Sequence, residues 1–90
     1  MISIIIPTYN EAACIEQTLE NILSLKGEAD FEIIVSDGKS TDNTLAISQN
    51  YAKTIITEKC KAVQLNRASE QARGDILFLY TLICRFLPAL

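Results

Sequence analysis

Two short polar stretches hold most of the side chains suited to handling a ligand. The first is Pro7-Thr8-Tyr9-Asn10-Glu11, with a hydroxyl, a phenol, an amide and a carboxylate in close succession. The second is Asp37-Gly38-Lys39-Ser40-Thr41-Asp42. Backbone N–H groups at a helix start, beside a hydroxyl and an aromatic ring, suit an anion or a nucleoside. Asp37 can accept hydrogen bonds from a base or a sugar. A purely structural account is equally open: Asp37-Gly38 turns the chain, and Ser40 or Thr41 caps the next helix. Metal or thiol chemistry has less support. His is absent, and Cys14, Cys60 and Cys84 are odd in number and far apart. Neither a metal-ligand spacing nor a disulfide framework appears, so a reducing, cytoplasmic setting is expected.

Both stretches follow candidate strands. Ile2 to Ile6 is a β-branched run of nearly continuous apolar character, as in a strand covered on both faces of a parallel sheet. Pro7 lacks an N–H and is expected to end the ladder. Asn10 as N-cap and Glu11 as a first-turn acid predict a helix from about Glu11. Ile15, Leu19, Ile22 and Leu23 form its apolar stripe, and Gly27 is a plausible stop. Phe31 to Ser36 reads as a second strand. A helix from about Asp42 to Tyr51 follows, with Leu45, Ala46 and Ala52 inward. Lys53 to Thr57 is a short third strand. Ala62 to Arg73 reads as a helix with Ala62, Leu65, Ala68 and Ala72 inward, stopped by Gly74. Ile76 to Tyr80 is a fourth strand, expected to be buried on both faces.

The order β-α-β-α-β-α-β implies an α/β fold of three layers around a mostly parallel four-stranded sheet. Parallel strands place their carboxyl ends together, so the two polar loops share one crevice. Thr8 and Asp37 should then lie within about 10 Å, roughly two strand spacings. The pattern covers residues 1–80; residues 81–90 form an atypical apolar tail.

The chain has 90 residues, 49% hydrophobic and 21% charged, which fits one small ordered domain. Its net charge of −3 hides an asymmetry: residues 1–52 carry two basic and eight acidic residues, residues 53–90 six and three. The basic later part could face an anionic ligand, or the split could be chance on a small surface. No signal peptide is read, since Met1 leads straight into a strand. Residues 76–90 are apolar but too short to span a bilayer, and they include Arg85 and Pro88. Neither a nucleic-acid partner nor a membrane span is expected.

Four blocks carry a resemblance. They are Ser3-Ile-Ile-Ile-Pro-Thr-Tyr-Asn-Glu11, then Glu32-Ile-Ile-Val-Ser-Asp-Gly-Lys-Ser-Thr-Asp-Asn-Thr44, then Gln64-Leu-Asn66, then Ala72-Arg-Gly-Asp-Ile-Leu-Phe-Leu79. In this order they resemble the family 2 glycosyltransferases of the GT-A fold, over residues 1 to about 80. The resemblance implies half of a GT-A fold, the half that binds a nucleotide-diphosphate sugar, usually UDP- or GDP-linked. Pro7, Thr8, Tyr9 and Glu11 would line the nucleoside pocket, and Asp37 would contact the base or ribose. Many members carry two acids there, where this chain has Gly38 in second place. Lys61 stands where similar sequences have a basic residue, and with Gln64 and Asn66 it would face the pyrophosphate. The alternative for Lys61 is an exposed lysine at a helix start.

The resemblance also implies Mg2+ or Mn2+, held by a carboxylate just after the fourth strand and acting as a Lewis acid on the leaving diphosphate. Here that place reads Tyr80-Thr81-Leu82-Ile83-Cys84, without an acid. The resemblance does not extend to the family's acceptor-binding half, so a truncated form is expected. Two readings follow: a truncated sugar transferase with an unknown acceptor, or a non-catalytic remnant that binds nucleotide weakly or only folds. A frameshift near Thr81 would account for the abrupt change, because Thr-Leu-Ile codons shifted by two bases can encode Ala-Asp. A tail packed as a helix over the sheet is the rival account. Uncovered apolar surface predicts self-association through Val35, Phe78, Leu79 and residues 82–90.

Overall fold

The computed structural model of the chain describes residues 1–24 and 30–78. The elements are β1 (Ile2–Thr8), α1 (Ile15–Leu23), β2 (Phe31–Asp37), α2 (Thr44–Gln49), β3 (Lys53–Ile56), α3 (Lys61–Gln71) and β4 (Asp75–Phe78). The four strands form one parallel sheet in the order β3-β2-β1-β4. The expected α/β, three-layer arrangement is therefore present.

Strand alternation assigns the layers. Ile4, Ile6, Phe31, Ile33 and Val35 point to one face, where Ile15 and Leu19 of α1 complete a buried cluster with Ile47 of α2 at its margin. Ile5 and Ile34 point the other way, against Ala68 of α3. The register Ile4↔Ile33, Ile5↔Ile34, Ile6↔Val35 keeps each apolar pair on one face. The β-branched runs thus bury both faces of the two central strands, as their composition predicts.

Several expectations change. The β1–β2 ladder continues past Pro7, which pairs with Ser36, to Thr8↔Asp37. Thr8 directs its carbonyl to β2, where it accepts from Gly38 N at 2.9 Å. Neighbouring residues of a strand face opposite sides, so the N–H that Pro7 lacks would point toward β4. The described β1–β4 ladder runs from Ile2↔Asp75 to Ile5↔Phe78. Asn10 is no N-cap: its φ is 51°, and α1 begins only at Ile15 after a turn in which Cys14 N and Ile15 N donate to Glu11 O.

In α2 the buried residues are Thr44 and Ser48, not the expected Leu45 and Ala46. Their hydroxyls are satisfied locally, Ser48 Oγ donating to Thr44 O at 2.8 Å. In α3 the buried residues are Gln64 and Ala68, while Ala62 is exposed. Strand β4 is not buried on both faces: Ile76 and Leu77 are 46% and 52% exposed, and among the described residues β4 pairs with β1 at the edge of the sheet. Val35 is fully buried and unavailable for self-association. Asp75 N donates to Met1 O at 3.0 Å where β4 joins the sheet. A Cβ on the preceding Gly74 would run into that same carbonyl, so only glycine fits there. Gly27, Leu79, Tyr80 and the 81–90 tail lie outside the described residues.

Candidate functional site

The carboxyl ends of β1 and β2 meet at Thr8 and Asp37. Thr8 Oγ1 donates to Asp37 Oδ1 at 2.7 Å, well inside the expected separation. Ser40 adds two bonds, Ser40 N to Asp37 Oδ2 at 2.9 Å and Ser40 Oγ to Asp37 Oδ1 at 2.6 Å. Asp37 is 1% exposed, so its carboxylate is buried and engaged by three donors. That satisfies a charge which would be costly to bury alone.

The two loops then brace each other. Asn10 N donates to Ser40 Oγ at 2.8 Å, and Thr41 N returns a bond to Asn10 Oδ1 at 2.8 Å. Glu11 N donates to Thr44 Oγ1 at 2.8 Å, and Ala12 N to Asp42 Oδ2 at 3.2 Å. Thr44, through both its hydroxyl and its backbone N–H, donates to Asp42 Oδ1 and holds the Asp42 carboxyl below its ordinary range. Each loop contains one non-glycine residue in the left-handed region, Asn10 at φ 51° and Lys39 at φ 61°. Asn tolerates that conformation; Lys does so at a cost, which the Ser40–Asp37 bonds offset.

Helix α3 closes the crevice from the other face. Gln64, 5% exposed, donates from Nε2 to Thr8 O and to Ser36 O, each at 2.9 Å. Ser36 Oγ donates back to Gln64 O at 2.7 Å. Gln64 therefore ties the helix to both strands and does not face outward toward an anion. Asn66 is exposed. Lys61 is the first residue of α3 and exposed. Just before it, the Lys59 ammonium lies 3.9 Å from the Tyr9 ring centroid. Gly38 makes this close approach possible: a Cβ there would lie 3.0 Å from Lys59 Cα and 3.2 Å from Gln64 Cδ and Nε2.

Of the sequence candidates, Thr8 and Asp37 are joined directly and Tyr9 stands beside them under Lys59. Glu11 contributes its backbone N–H, while its carboxylate accepts from Cys14 Sγ at 3.7 Å. Pro7 is buried within the sheet. Gln64 and Lys59 are the residues that sequence reasoning missed in these roles. A hint existed for Gln64, which shares the i, i+4, i+8 row of Ala68 and Ala72 and so belongs to the inner stripe. A separate trough of about 550 Å3 between β3 and α3 is lined by Ile55, Val63 and Arg67 among others. It includes neither Thr8 nor Asp37, and its Arg67–Glu70 pair is 65% exposed on both sides. That trough is open surface, not part of the braced crevice.

These elements make part of a GT-A fold. The chain belongs to glycosyl transferase family 2, whose family model matches residues 3–82. It is 36% identical over 89 residues to a dolichyl N-acetyl-alpha-D-glucosaminyl phosphate 3-beta-D-2,3-diacetamido-2,3-dideoxy-beta-D-glucuronosyltransferase of Methanococcus voltae, covering 88% of this chain and 28% of that protein. Among solved structures it is similar to a Pyrobaculum calidifontis mannosyltransferase in complex with GDP-Man and Mn2+, at TM-score 0.75 and 31% identity, covering 88% of this chain and 26% of that one. It is also similar to the glucosyl-3-phosphoglycerate synthase of Mycobacterium tuberculosis in complex with Mn2+, UDP and glucosyl-3-phosphoglycerate, at TM-score 0.73 and 28% identity, covering 90% of this chain and 33% of that one. The chain thus spans about a quarter to a third of the length of these relatives.

Both solved relatives contain Mn2+. Among the described residues of this chain, no group of three or more His, Cys, Asp or Glu side chains is placed to hold a metal ion. Positions 80–84, where the resemblance puts the metal carboxylate, lie outside the described residues and contain no acid in the sequence.

Proposed function

We propose that this chain provides the nucleotide-binding crevice of a sugar transferase that uses a UDP- or GDP-linked donor and an unassigned acceptor. The Thr8–Asp37 bond, locked by the mutual bracing of the two loops, carries the reading. It holds a hydroxyl, an aromatic ring and a carboxylate at adjacent carboxyl ends of a parallel sheet, where α/β proteins bind ligands. In this reading the base or ribose takes the place of the Ser40 hydroxyl on Asp37. Tyr9 offers a ring face to the base, and Lys61 meets the diphosphate. Pro7 and Glu11 act through the shape of the loop. The binding unit is residues 1–80, with residues 81–90 as a separate tail.

A second reading is a remnant that binds nucleotide without transferring sugar. Residues 76–90 contain neither Asp nor Glu, which supports it for this chain. The cysteine spacing supports a cytoplasmic setting. Exposed Ile76 and Leu77 on β4 support self-association.

Calorimetric titration with UDP- and GDP-sugars, with and without Mn2+, tests the reading. Weak binding that is indifferent to metal is expected, and Asp37→Asn should weaken it by about 1–3 kcal/mol. A chain that binds none of these ligands would overturn the crevice reading. Metal-dependent release of UDP or GDP would overturn the remnant reading.

A further inference from the structure

We propose that Lys59 makes the crevice select nucleoside diphosphates over nucleosides, by sharing the Tyr9 ring face with the base and giving up that place only to pair with phosphate. The proposal rests on the nucleotide-binding reading above. The Lys59 ammonium is 3.9 Å from the ring centroid, and no carboxylate among the described residues pairs with it. A solvent-exposed lysine held on a ring without an anionic partner is a cation with its strongest interaction still unmade.

The root of this side chain is fixed at the crevice. Thr57 N donates to Asp37 O at 2.8 Å, and Cys60 N closes a turn onto Glu58 O at 2.8 Å. Lys59 Cα itself packs against Gly38, the neighbour of Asp37. The four-carbon stem is free to move the ammonium while its base stays in place.

Two ligands should therefore feel opposite effects. A nucleoside stacking on Tyr9 has to displace the ammonium and offers it nothing in return. A nucleoside diphosphate displaces it and supplies a stronger, charged acceptor. A lysine that only braced the loop would affect both ligands alike.

The experiment is calorimetric titration of the chain, Lys59→Met and Lys59→Arg, with uridine, UDP, guanosine and GDP. For whichever base binds, Lys59→Met should lose about ten-fold in diphosphate affinity, as expected for a lost charged contact. It should gain roughly two- to five-fold for the nucleoside, as expected for a cation–π contact removed from the ring. Lys59→Arg should keep the wild-type order of the two. Equal changes for nucleoside and diphosphate, or no change in either, would overturn the role of Lys59 while leaving the crevice reading standing. If wild type binds none of the four, the crevice reading falls and this inference falls with it. Thermal unfolding of each variant separates a binding effect from a loss of fold.

Discussion

The two faces of the sheet are held by different forces. On the α1/α2 face, seven buried apolar side chains from β1, β2 and α1 form one cluster, with Ile22, Leu23, Ile47, Tyr51 and Ala52 packed around it. Among the described residues, the buried apolar set on the α3 face is Ile5, Ile34 and Ala68, with Ile55, Leu65 and Ala72 partly buried against it. The difference is made up by polar bonds, chiefly those linking Gln64 to Thr8, and Gln64 to Ser36 in both directions. Apolar burial is non-directional and scales with area, whereas a buried amide specifies one position. The first face therefore supplies stability. The second sets where the crevice-facing segment before α3, with Lys59, stands relative to Thr8, Tyr9 and Asp37.

The sharpest way to break this contrast is Leu19→Ala. Leu19 is fully buried in the larger cluster, and the truncation should cost about 2–5 kcal/mol. In a small domain that is a large share of the total. Urea unfolding should show a strongly lowered midpoint, with nucleotide binding lost alongside the fold.

Gln64→Leu should act on the other face, leaving two strand carbonyls without their side-chain donor at about 1–3 kcal/mol. Its distinguishing mark is regional. Amide exchange should quicken in α3 and at Gly38 while α1 keeps its protection. Equal loss of protection in α1 and α3 would mean that the two faces are not separable.

Gly38→Asp comes next. It restores the second acid that many family members carry. Here its Cβ would press on Lys59 Cα and the Gln64 amide. Overpacking of this kind costs about 1–3 kcal/mol, toward the lower end here because the segment before α3 can shift. The Tyr9 ring resonances should move as Lys59 is pushed off the ring. Unchanged Tyr9 resonances would show that the crowding is relieved elsewhere.

How much of this was legible in the sequence follows the same division. The apolar face announced itself through Ile2–Ile6, Phe31–Val35 and the Ile15–Leu19 stripe, because hydrophobic periodicity is what burial leaves in a sequence. Thr8 and Asp37 were legible as strand-end residues, since parallel topology alone brings them together. The polar interior was not. Thr44, Ser48 and Gln64 occupy inward positions that hydropathy assigns to solvent, each with its polar atoms hydrogen-bonded: Ser48 within its own helix, Thr44 to the facing loop and Gln64 across to two strands. Asn10 looked like a helix cap but adopts a left-handed conformation, because its side chain accepts from Thr41 in the partner loop. Lys59 had no sequence signal, for its place depends on the absence of a Cβ at Gly38. Strand β4 was read as fully buried from its composition, yet Ile76 and Leu77 are half exposed. Composition reports what a strand can bury, not whether a neighbour is there to cover it.

The smallest expected effect lies at the opposite end of the sheet, where a second polar lock holds the α3–β4 turn. Ser3 Oγ donates to Glu32 Oε2 at 2.6 Å, Arg73 N donates to the same oxygen at 2.7 Å, and Gly74 N donates to Ser3 Oγ at 2.8 Å. The Ser3 hydroxyl, then the Arg73 N–H, hold the Glu32 carboxyl below its ordinary value of 4.5, with the Arg73 and Lys53 charges adding to them and partial burial opposing. A carboxyl whose folded pKa lies below its unfolded one contributes stability above the unfolded value. That contribution is lost as pH falls through the folded value. Glu32→Gln keeps an oxygen that can accept both bonds but removes the titration. The variant should be slightly less stable than wild type at pH 7, with the gap narrowing as pH falls below about 4.5. Nucleotide affinity at pH 7 should not change, because Thr8 and Asp37 sit at the other ends of the same strands. Urea midpoints at pH 7 and in acid measure the first expectation and calorimetry the second. Parallel pH curves would show that the lock does not depend on the Glu32 charge. A change in nucleotide affinity would show that the two ends of the sheet are coupled.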